Sequence, residues 1–322
     1  MLSKYENAMR ILKFENPEYI MGSIPANWLL YYGCNHESFD GVNDDCPVGT
    51  KWTDIWGTGW LKELPDIMGF PRHNPLAEIK DYKNYKWPDP DDERICGQIY
   101  KSKEWYPDGG PLYAGSHRDT LWEKSYMLVG MENMMIYLYT EPEYAKEILH
   151  RIMDFQIGIA KHYIKAGVNM IGMSDDLGTQ RNLLIGLDTL YEFFVPEYKR
   201  LFEFYKEQSA IIEFHSCGHI EPVLGMFMEL GVNVLGPLQA SANNLKNVRK
   251  ITQGKMALMG GVSSKTIMDG PVEAIDEEVK NTIRLLGKNG GYFCGPDQWM
   301  PYSEENLNAF NKSVEKHGKY PL

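Results

Sequence analysis

The stretch Ile211-Ile-Glu-Phe-His-Ser-Cys-Gly218 decides the fold of this chain. A short, mostly apolar run that stops at polar residues and a glycine predicts a buried strand with chemistry at its carboxyl end. His215 and Cys217 are two residues apart, and alternate residues of an extended segment point to the same side. We therefore expect both side chains to reach into one cavity.

Similar short runs follow at regular intervals along the second half of the chain, with helical patterns between them. This alternation predicts parallel βα units, in which functional residues gather where the strands end. A (β/α)8 TIM barrel and a doubly wound sheet both meet that description. We favour the barrel because no Gly-x-Gly-x-x-Gly follows an early strand and no Walker lysine motif occurs. Strands are predicted near Asn169, Ile211, Val232, Met256 and Tyr292, and helices over 119–166, 188–208, 220–230, 243–254, 271–288 and 304–317.

Residues 1–110 differ in composition from the rest of the chain, since they are rich in Gly, Pro, Trp and Tyr and poor in long periodic stretches. Ser23–Leu30 is its best strand candidate, and the proline-rich, acidic run Trp87–Glu93 predicts an exposed turn. We predict one α/β domain over 1–322, with an irregular N-terminal extension at 1–110 and the regular barrel part at 111–322.

Composition excludes several classes of partner. A net charge of −11 argues against nucleic acid and against anionic membranes. No stretch reaches the roughly 18 to 20 apolar residues of a membrane helix, and the first residues show no apolar leader. Five widely spaced cysteines do not form the pattern of a disulfide scaffold. We expect a cytoplasmic protein with free, catalytic or metal-bound thiols.

The pair His215 and Cys217 suggests a metal centre. Imidazole and thiolate are good zinc ligands, and Cys294, which also ends a strand-like run, is the natural third. Three protein ligands leave one position open, as in catalytic zinc sites. The alternative is a buried, hydrogen-bonded histidine beside a small buried thiol.

Other polar and aromatic residues are candidates for contact with a substrate. Asp175 and Asp176 end the preceding strand, and adjacent residues of a strand point to opposite faces, so one of them is expected in the cavity. It would transfer a proton, bind substrate or orient a ligand histidine, unless it only caps the next turn. The predicted substrate-binding residues are Gln239 and Gln180 after strand ends, and Trp52 and Trp56 in an aromatic segment that either walls a pocket or fills the core.

Residues from about 120 to 318 resemble the uroporphyrinogen decarboxylase superfamily, which includes corrinoid-dependent methyltransferases. The resemblance implies a TIM barrel, and its methyltransferase branch binds zinc through a His-x-Cys and a late cysteine, roles that His215, Cys217 and Cys294 match. The stretches that carry it are Gly130–Asn133, Ala166–Gln180, Phe214–Gly218, Leu230–Gln239, Met259–Val262 and Glu305-Asn306.

Two departures from the family pattern matter. Cys294 stands farther from Asn306 than the family's late ligand usually does, so Asp297 or Gln298 occupies that position and Asp297 is the reserve ligand. The decarboxylase's arginine-rich early motif is also missing, since Arg10 is the one arginine of residues 1–60. Porphyrin decarboxylation is therefore disfavoured.

The resemblance implies a zinc-dependent methyltransferase that moves a methyl group between a small molecule and a corrinoid protein. No Asp-x-His-x-x-Gly motif occurs in this chain, so the cobalamin would be carried by a separate partner. A homodimer is left open. The competing hypotheses are a metal-free decarboxylase or lyase, with Asp175 and Asp176 placing protons, and a non-catalytic ligand-binding barrel.

Overall fold

A computed structural model describes residues 2–322 and shows an α/β fold. Among these residues, no helix is both long and apolar enough to cross a membrane. The strands are β1 (Asn27–Trp28), β2 (Lys51–Thr53), β3 (Gly59–Leu61), β4 (Phe70–His73), β5 (Tyr113–His117), β6 (Met170–Ser174), β7 (Ile211–His215), β8 (Val234–Leu238), β9 (Ala257–Val262) and β10 (Tyr292–Pro296). The helices are α1 (Lys4–Lys13), α2 (Glu93–Lys103), α3 (Trp122–Val129), α4 (Met131–Thr140), α5 (Pro142–Ala166), α6 (Leu187–Thr189), α7 (Val195–Glu207), α8 (Leu224–Leu230), α9 (Leu245–Thr252), α10 (Ser264–Asp269), α11 (Val272–Leu286) and α12 (Glu304–His317).

The chain forms two compact units. The first comprises the residues up to Ala26, Asp176–Leu187 and Ile211–Leu322, and the second comprises Asn27–Asp175 and Asp188–Ala210. In the second half of the sequence the predicted strands and helices are confirmed within a few residues, apart from the short α10, which was not predicted.

In the first unit β7, β8, β9 and β10 pair in parallel in that order. Phe214 lies opposite Leu235, Leu235 opposite Leu258, and Leu258 opposite Tyr292, and all four side chains are fully buried. Strands that are apolar on both faces need cover on both faces, which parallel sheets obtain from their crossover helices. The parallel pairing puts the carboxyl ends of these strands at one edge of the sheet.

In the second unit β1, β5 and β6 pair in parallel. The long helix α5 begins with Pro142 in its first turn and ends at Gly167, whose φ of 90° suits glycine. Within residues 2–322, seven strands therefore pair in parallel, and the predicted α/β class is confirmed.

The first 110 residues contain regular structure that the sequence pattern did not predict. Besides α1 and α2, the strands β2, β3 and β4 form an antiparallel sheet in which Trp52 lies opposite Trp60. The strands are three or four residues long, too short for an alternating pattern to stand out. The predicted strand Ser23–Leu30 is reduced to Asn27–Trp28.

Candidate metal centre

Three potential metal ligands meet after the ends of β6 and β7. Asp176, His215 and Cys217 each offer one ligand atom, and these atoms all lie within 4.8 Å of one another. His215 Nε2 is 3.3 Å from Cys217 Sγ and 3.5 Å from Asp176 Oδ1. Cys217 is half-buried, and about half of the His215 side chain is exposed, so an ion and a ligand can reach the group from solvent.

The separations of the His215 nitrogen from the other two ligand atoms fit tetrahedral zinc. Zinc bonds of about 2.0–2.1 Å to nitrogen or oxygen and about 2.3 Å to sulfur imply N···S and N···O separations of about 3.6 and 3.4 Å. The measured separations of 3.3 and 3.5 Å are close to both values. One imidazole, one thiolate and one carboxylate are also a donor set that zinc accepts.

Close backbone contact between two loops brings these side chains together. Cys217 donates its backbone N–H to Asp176 Oδ1 at 2.9 Å, and His219 donates its own to the Thr179 carbonyl at 2.7 Å. At Gly218, which has φ 83°, an added Cβ would lie 2.3 Å from the carbonyl oxygen of Gly178. The glycine after Cys217 is therefore required for both its backbone angle and its lack of a side chain.

Replacing Gly218 with alanine is expected to lower the free energy of unfolding by about 2 kcal/mol and to weaken metal binding, because the loops must separate. Gly225, within α8, is the control, since nothing lies within 4 Å of its added Cβ. Gly225→Ala should be neutral or slightly stabilising. Denaturant unfolding of both variants tests this, and equal stability would contradict the proposed loop contact.

His215 and Asp176, two of the candidate ligands, shift each other's pKa. Burial disfavours the charged form of His215, but hydrogen bonds with Asp176 and Cys217 outweigh it and raise the His215 pKa to about 10. For Asp176 burial again opposes charge, and the hydrogen bond with His215 lowers its pKa below the ordinary value. The contact between the two side chains therefore favours the charged form of each.

Cys294, Asp297 and Gln298, the residues considered for the third ligand position, make different contacts in the structure. Cys294 is 1 % exposed and is not a member of the three-residue group, and burial raises its pKa to about 12. Asp297 uses Oδ1 to accept from the Ser264 N–H and Oδ2 to accept from the Ala240 N–H. Gln298 instead reaches one of the three candidate ligands, because its Nε2 lies 3.0 Å from Cys217 Sγ.

Asp175 and Asp176 contact different residues. Asp175 is fully buried and accepts from the backbone N–H groups of Leu121 and Glu123 and from the Tyr198 hydroxyl. These bonds anchor the start of α3. Burial raises the pKa of Asp175 to about 7. Its contacts are those of a positioning group, and the catalytic role predicted from the sequence stays a prediction.

The two glutamines predicted to bind substrate hold loops in the structure. Gln239 Oε1 accepts from the Gly218 N–H at 2.5 Å, next to Cys217. Gln180 Oε1 accepts from the Ser241 hydroxyl at 3.4 Å and is exposed. Their roles toward a substrate stay predictions.

The two predicted substrate-binding tryptophans lie in the second unit. Trp52 is buried, stacks on Trp60 at 6.1 Å and donates its indole N–H to the His36 carbonyl. Trp56 packs edge-on against Phe155 at 4.6 Å and lines a surface cavity of about 460 Å³ with Tyr85. Core packing accounts for Trp52, whereas Trp56 also borders a cavity.

Sequence reasoning missed two features of the site. Asp176 was expected to bind substrate, transfer a proton or orient a ligand histidine, and its place among the candidate metal ligands was not predicted, because its distance from His215 depends on how the loops meet. Gln298 was considered only for its family position. Its contact with Cys217 has no local signal, since 81 residues separate the two.

Comparisons with known proteins agree with this architecture. A sequence model of the uroporphyrinogen decarboxylase (URO-D) family matches residues 72–317. The chain belongs to the uroporphyrinogen decarboxylase family. The matched region begins in β4, well before residue 120, where the resemblance in the sequence becomes visible.

Individual relatives of this URO-D family chain are distant. A methylated-thiol–coenzyme M methyltransferase from Methanosarcina mazei is 24% identical over 193 residues, which is 59% of this chain and 49% of the relative. A uroporphyrinogen decarboxylase from Helicobacter pylori is 26% identical over 157 residues, or 48% of this chain and 44% of the relative. The chain thus spans about half the length of the curated relatives it matches.

A solved structure shares the fold over nearly the full length. The structure of a methyltransferase from Methanosarcina mazei superimposes with a TM-score of 0.71, covering 98% of this chain and 99% of that chain. The sequence identity of 16% limits this likeness to the fold.

Proposed function

We propose that this URO-D family protein is a zinc-dependent methyltransferase of a corrinoid system. The observation that carries the proposal is the group formed by Asp176, His215 and Cys217, in which the separations of His215 Nε2 from Cys217 Sγ and Asp176 Oδ1 are close to those of tetrahedral zinc. Membership in the family and the similarity to a methyltransferase support it. We also propose that the parallel strands belong to a complete (β/α)8 barrel, which the full-length likeness to a methyltransferase structure supports.

His215 and Cys217 would hold the zinc ion, with Asp176 as third ligand. A bound zinc ion would supply a Lewis acid for the oxygen, nitrogen or sulfur atom of the methyl donor or acceptor. Asp176 Oδ1 also accepts the Cys217 backbone N–H at 2.9 Å, so the carboxylate is aimed before any ion arrives. The exposed edge of His215 leaves room for a fourth ligand from a substrate.

The proposed partner is a separate corrinoid protein. The candidate ligands lie at or just after the carboxyl ends of β6 and β7, and the carboxyl ends of barrel strands are where barrel enzymes meet their substrates. The methylated thiol of the M. mazei relative belongs to that protein, and the matched segments cover only about half of it. We propose a small methylated molecule or acceptor as substrate of this chain and assign no thiol to it.

Metal removal separates this proposal from its rivals. We expect about one zinc per purified chain and methyl transfer in one of two directions, either from a methylated small molecule to a reduced corrinoid protein or from a methylated corrinoid protein to a small acceptor. Chelation should abolish that transfer and added zinc should restore it. Zinc content and corrinoid absorbance measure these outcomes. Methyl transfer that chelators leave unchanged would contradict the zinc requirement. Decarboxylation or elimination that chelators leave unchanged, with no methyl transfer, would favour the metal-free lyase, and ligand binding without turnover would favour the non-catalytic barrel.

A further inference from the structure

The side-chain amide of Gln298 meets the sulfur of Cys217, and the proposed chemistry does not yet use this contact. Nε2 lies 3.0 Å from Sγ, well within hydrogen-bond range for sulfur. The amide presents its N–H to the sulfur because the lone pairs of sulfur attract a donor and repel the amide oxygen.

The backbone of Gln298 is held in place for this contact. Its N–H donates to the Ser264 hydroxyl at 2.9 Å, and its carbonyl accepts from the hydroxyls of Ser264 and Tyr302. The preceding residue, Asp297, accepts the Ser264 N–H at 2.8 Å. These bonds fix the backbone from which the Gln298 side chain extends, so the amide starts from a set position when it reaches Cys217.

A metal-bound thiolate in a methyl-transfer site can itself become methylated. Its sulfur keeps lone pairs and can itself attack a methyl carbon. The S–C bond then forms from a sulfur lone pair, the bond from the methyl carbon to its leaving group breaks, and the leaving group departs with that electron pair. The product is a thioether, which is a poor zinc ligand.

We propose that Gln298 is a positioning residue that protects Cys217 from self-methylation, an inference that rests on the proposed function. Its N–H draws electron density from the sulfur, as outer hydrogen bonds do at metal ligands. The thiolate then stays bound to zinc while the methyl group goes to its intended acceptor. The half-exposed Cys217 gains most from such protection because a methyl donor can approach it.

The test uses methyl iodide as probe on the zinc-loaded full-length chain. Gln298→Met keeps the length of the side chain and removes the donor, and Gln298→Leu is the second variant in case methionine perturbs folding. Gln208→Met is the matched control, an exposed residue at the end of α7 in the other unit. Mass spectrometry measures the rate at which Cys217 gains a methyl group, and thermal unfolding checks that each variant is folded.

Both Gln298 variants should keep one zinc per chain and methylate Cys217 about tenfold faster, since hydrogen bonds to charged groups contribute that much or more. In the cobalt-substituted protein, both Gln298 variants should move the thiolate-to-cobalt charge-transfer band to lower energy. Gln208→Met should change neither the methylation rate of Cys217 nor the energy of this band. If the Gln298 variants keep zinc and Cys217 is methylated at an unchanged rate, the inference about Gln298 is overturned and the proposed function is not. Loss of zinc in the variants would make Gln298 a ligand and also overturn it, and wild-type protein without zinc would overturn the proposed function as well.

Discussion

Cys217→Ala is expected to reduce zinc affinity by roughly a thousandfold, because a thiolate provides the strongest protein bond in this donor set. His215→Ala should have a comparable effect, and Asp176→Asn a smaller one of about 10- to 100-fold. The zinc dissociation constant, measured by competition with a chelator, gives all three values. Methyl transfer should fall in the same order if zinc acts directly on the substrate.

Cys294→Ala is the control that decides the third ligand. The buried Cys294 thiol is outside the Asp176, His215 and Cys217 group, so its removal should leave zinc affinity nearly unchanged. A loss as large as that of Cys217→Ala, together with unchanged affinity in Asp176→Asn, would instead restore the set His215, Cys217 and Cys294 predicted from the sequence. Denaturant unfolding identifies any effect that comes only from a cavity in the core.

The second large effect concerns stability in acid and depends on His117, at the end of β5. Its Nδ1 lies 2.6 Å from Gln156 Oε1 and its Nε2 lies 2.7 Å from the Tyr205 hydroxyl. Burial lowers the His117 pKa from 6.5 to about 4, so the ring stays neutral in the folded protein. The Tyr163 ring, 5.6 Å away, completes its uncharged surroundings.

Between pH 4 and 6.5 the unfolded chain binds a proton at His117 and the folded protein does not. The unfolded state then holds more protons, so stability is fully present above pH 6.5 and is lost as pH falls toward 4. The pKa difference corresponds to about 3 kcal/mol. Urea unfolding at several pH values should show this loss.

His117→Gln should flatten that part of the pH profile, whatever its effect on absolute stability. His73→Gln, at an exposed histidine of β4, should leave the slope as in the wild-type protein. Comparing slopes isolates His117 from the carboxylates that titrate in the same range. Identical slopes in wild type and His117→Gln would show that the ring is charged or exposed in the folded state.

The regular part of the fold could be predicted because local patterns encode it. Strands such as β7 and β10 are short apolar runs bounded by polar residues and glycine, and α5 carries a proline at its start and a glycine at its end. The β2–β4 sheet could not be predicted in this way, since its strands are three or four residues long and are defined by pairing such as that of Trp52 with Trp60. Such pairing depends on contacts across the chain and leaves little local pattern.

The sequence by itself determined the α/β class and the joint position of His215 and Cys217, because the period of an extended strand places alternate side chains on one side. Only the tertiary structure decided which acid and which amide join them. Asp176 reaches Cys217 through the close approach of Gly178 and Gly218, and Gln298 reaches it from 81 residues away. Cys294 has the chemistry of a ligand, yet it is buried and is not among the three candidate ligands that lie together, because strand register and loop contacts, not residue type, set the distances between side chains. Its role as third ligand stays a prediction.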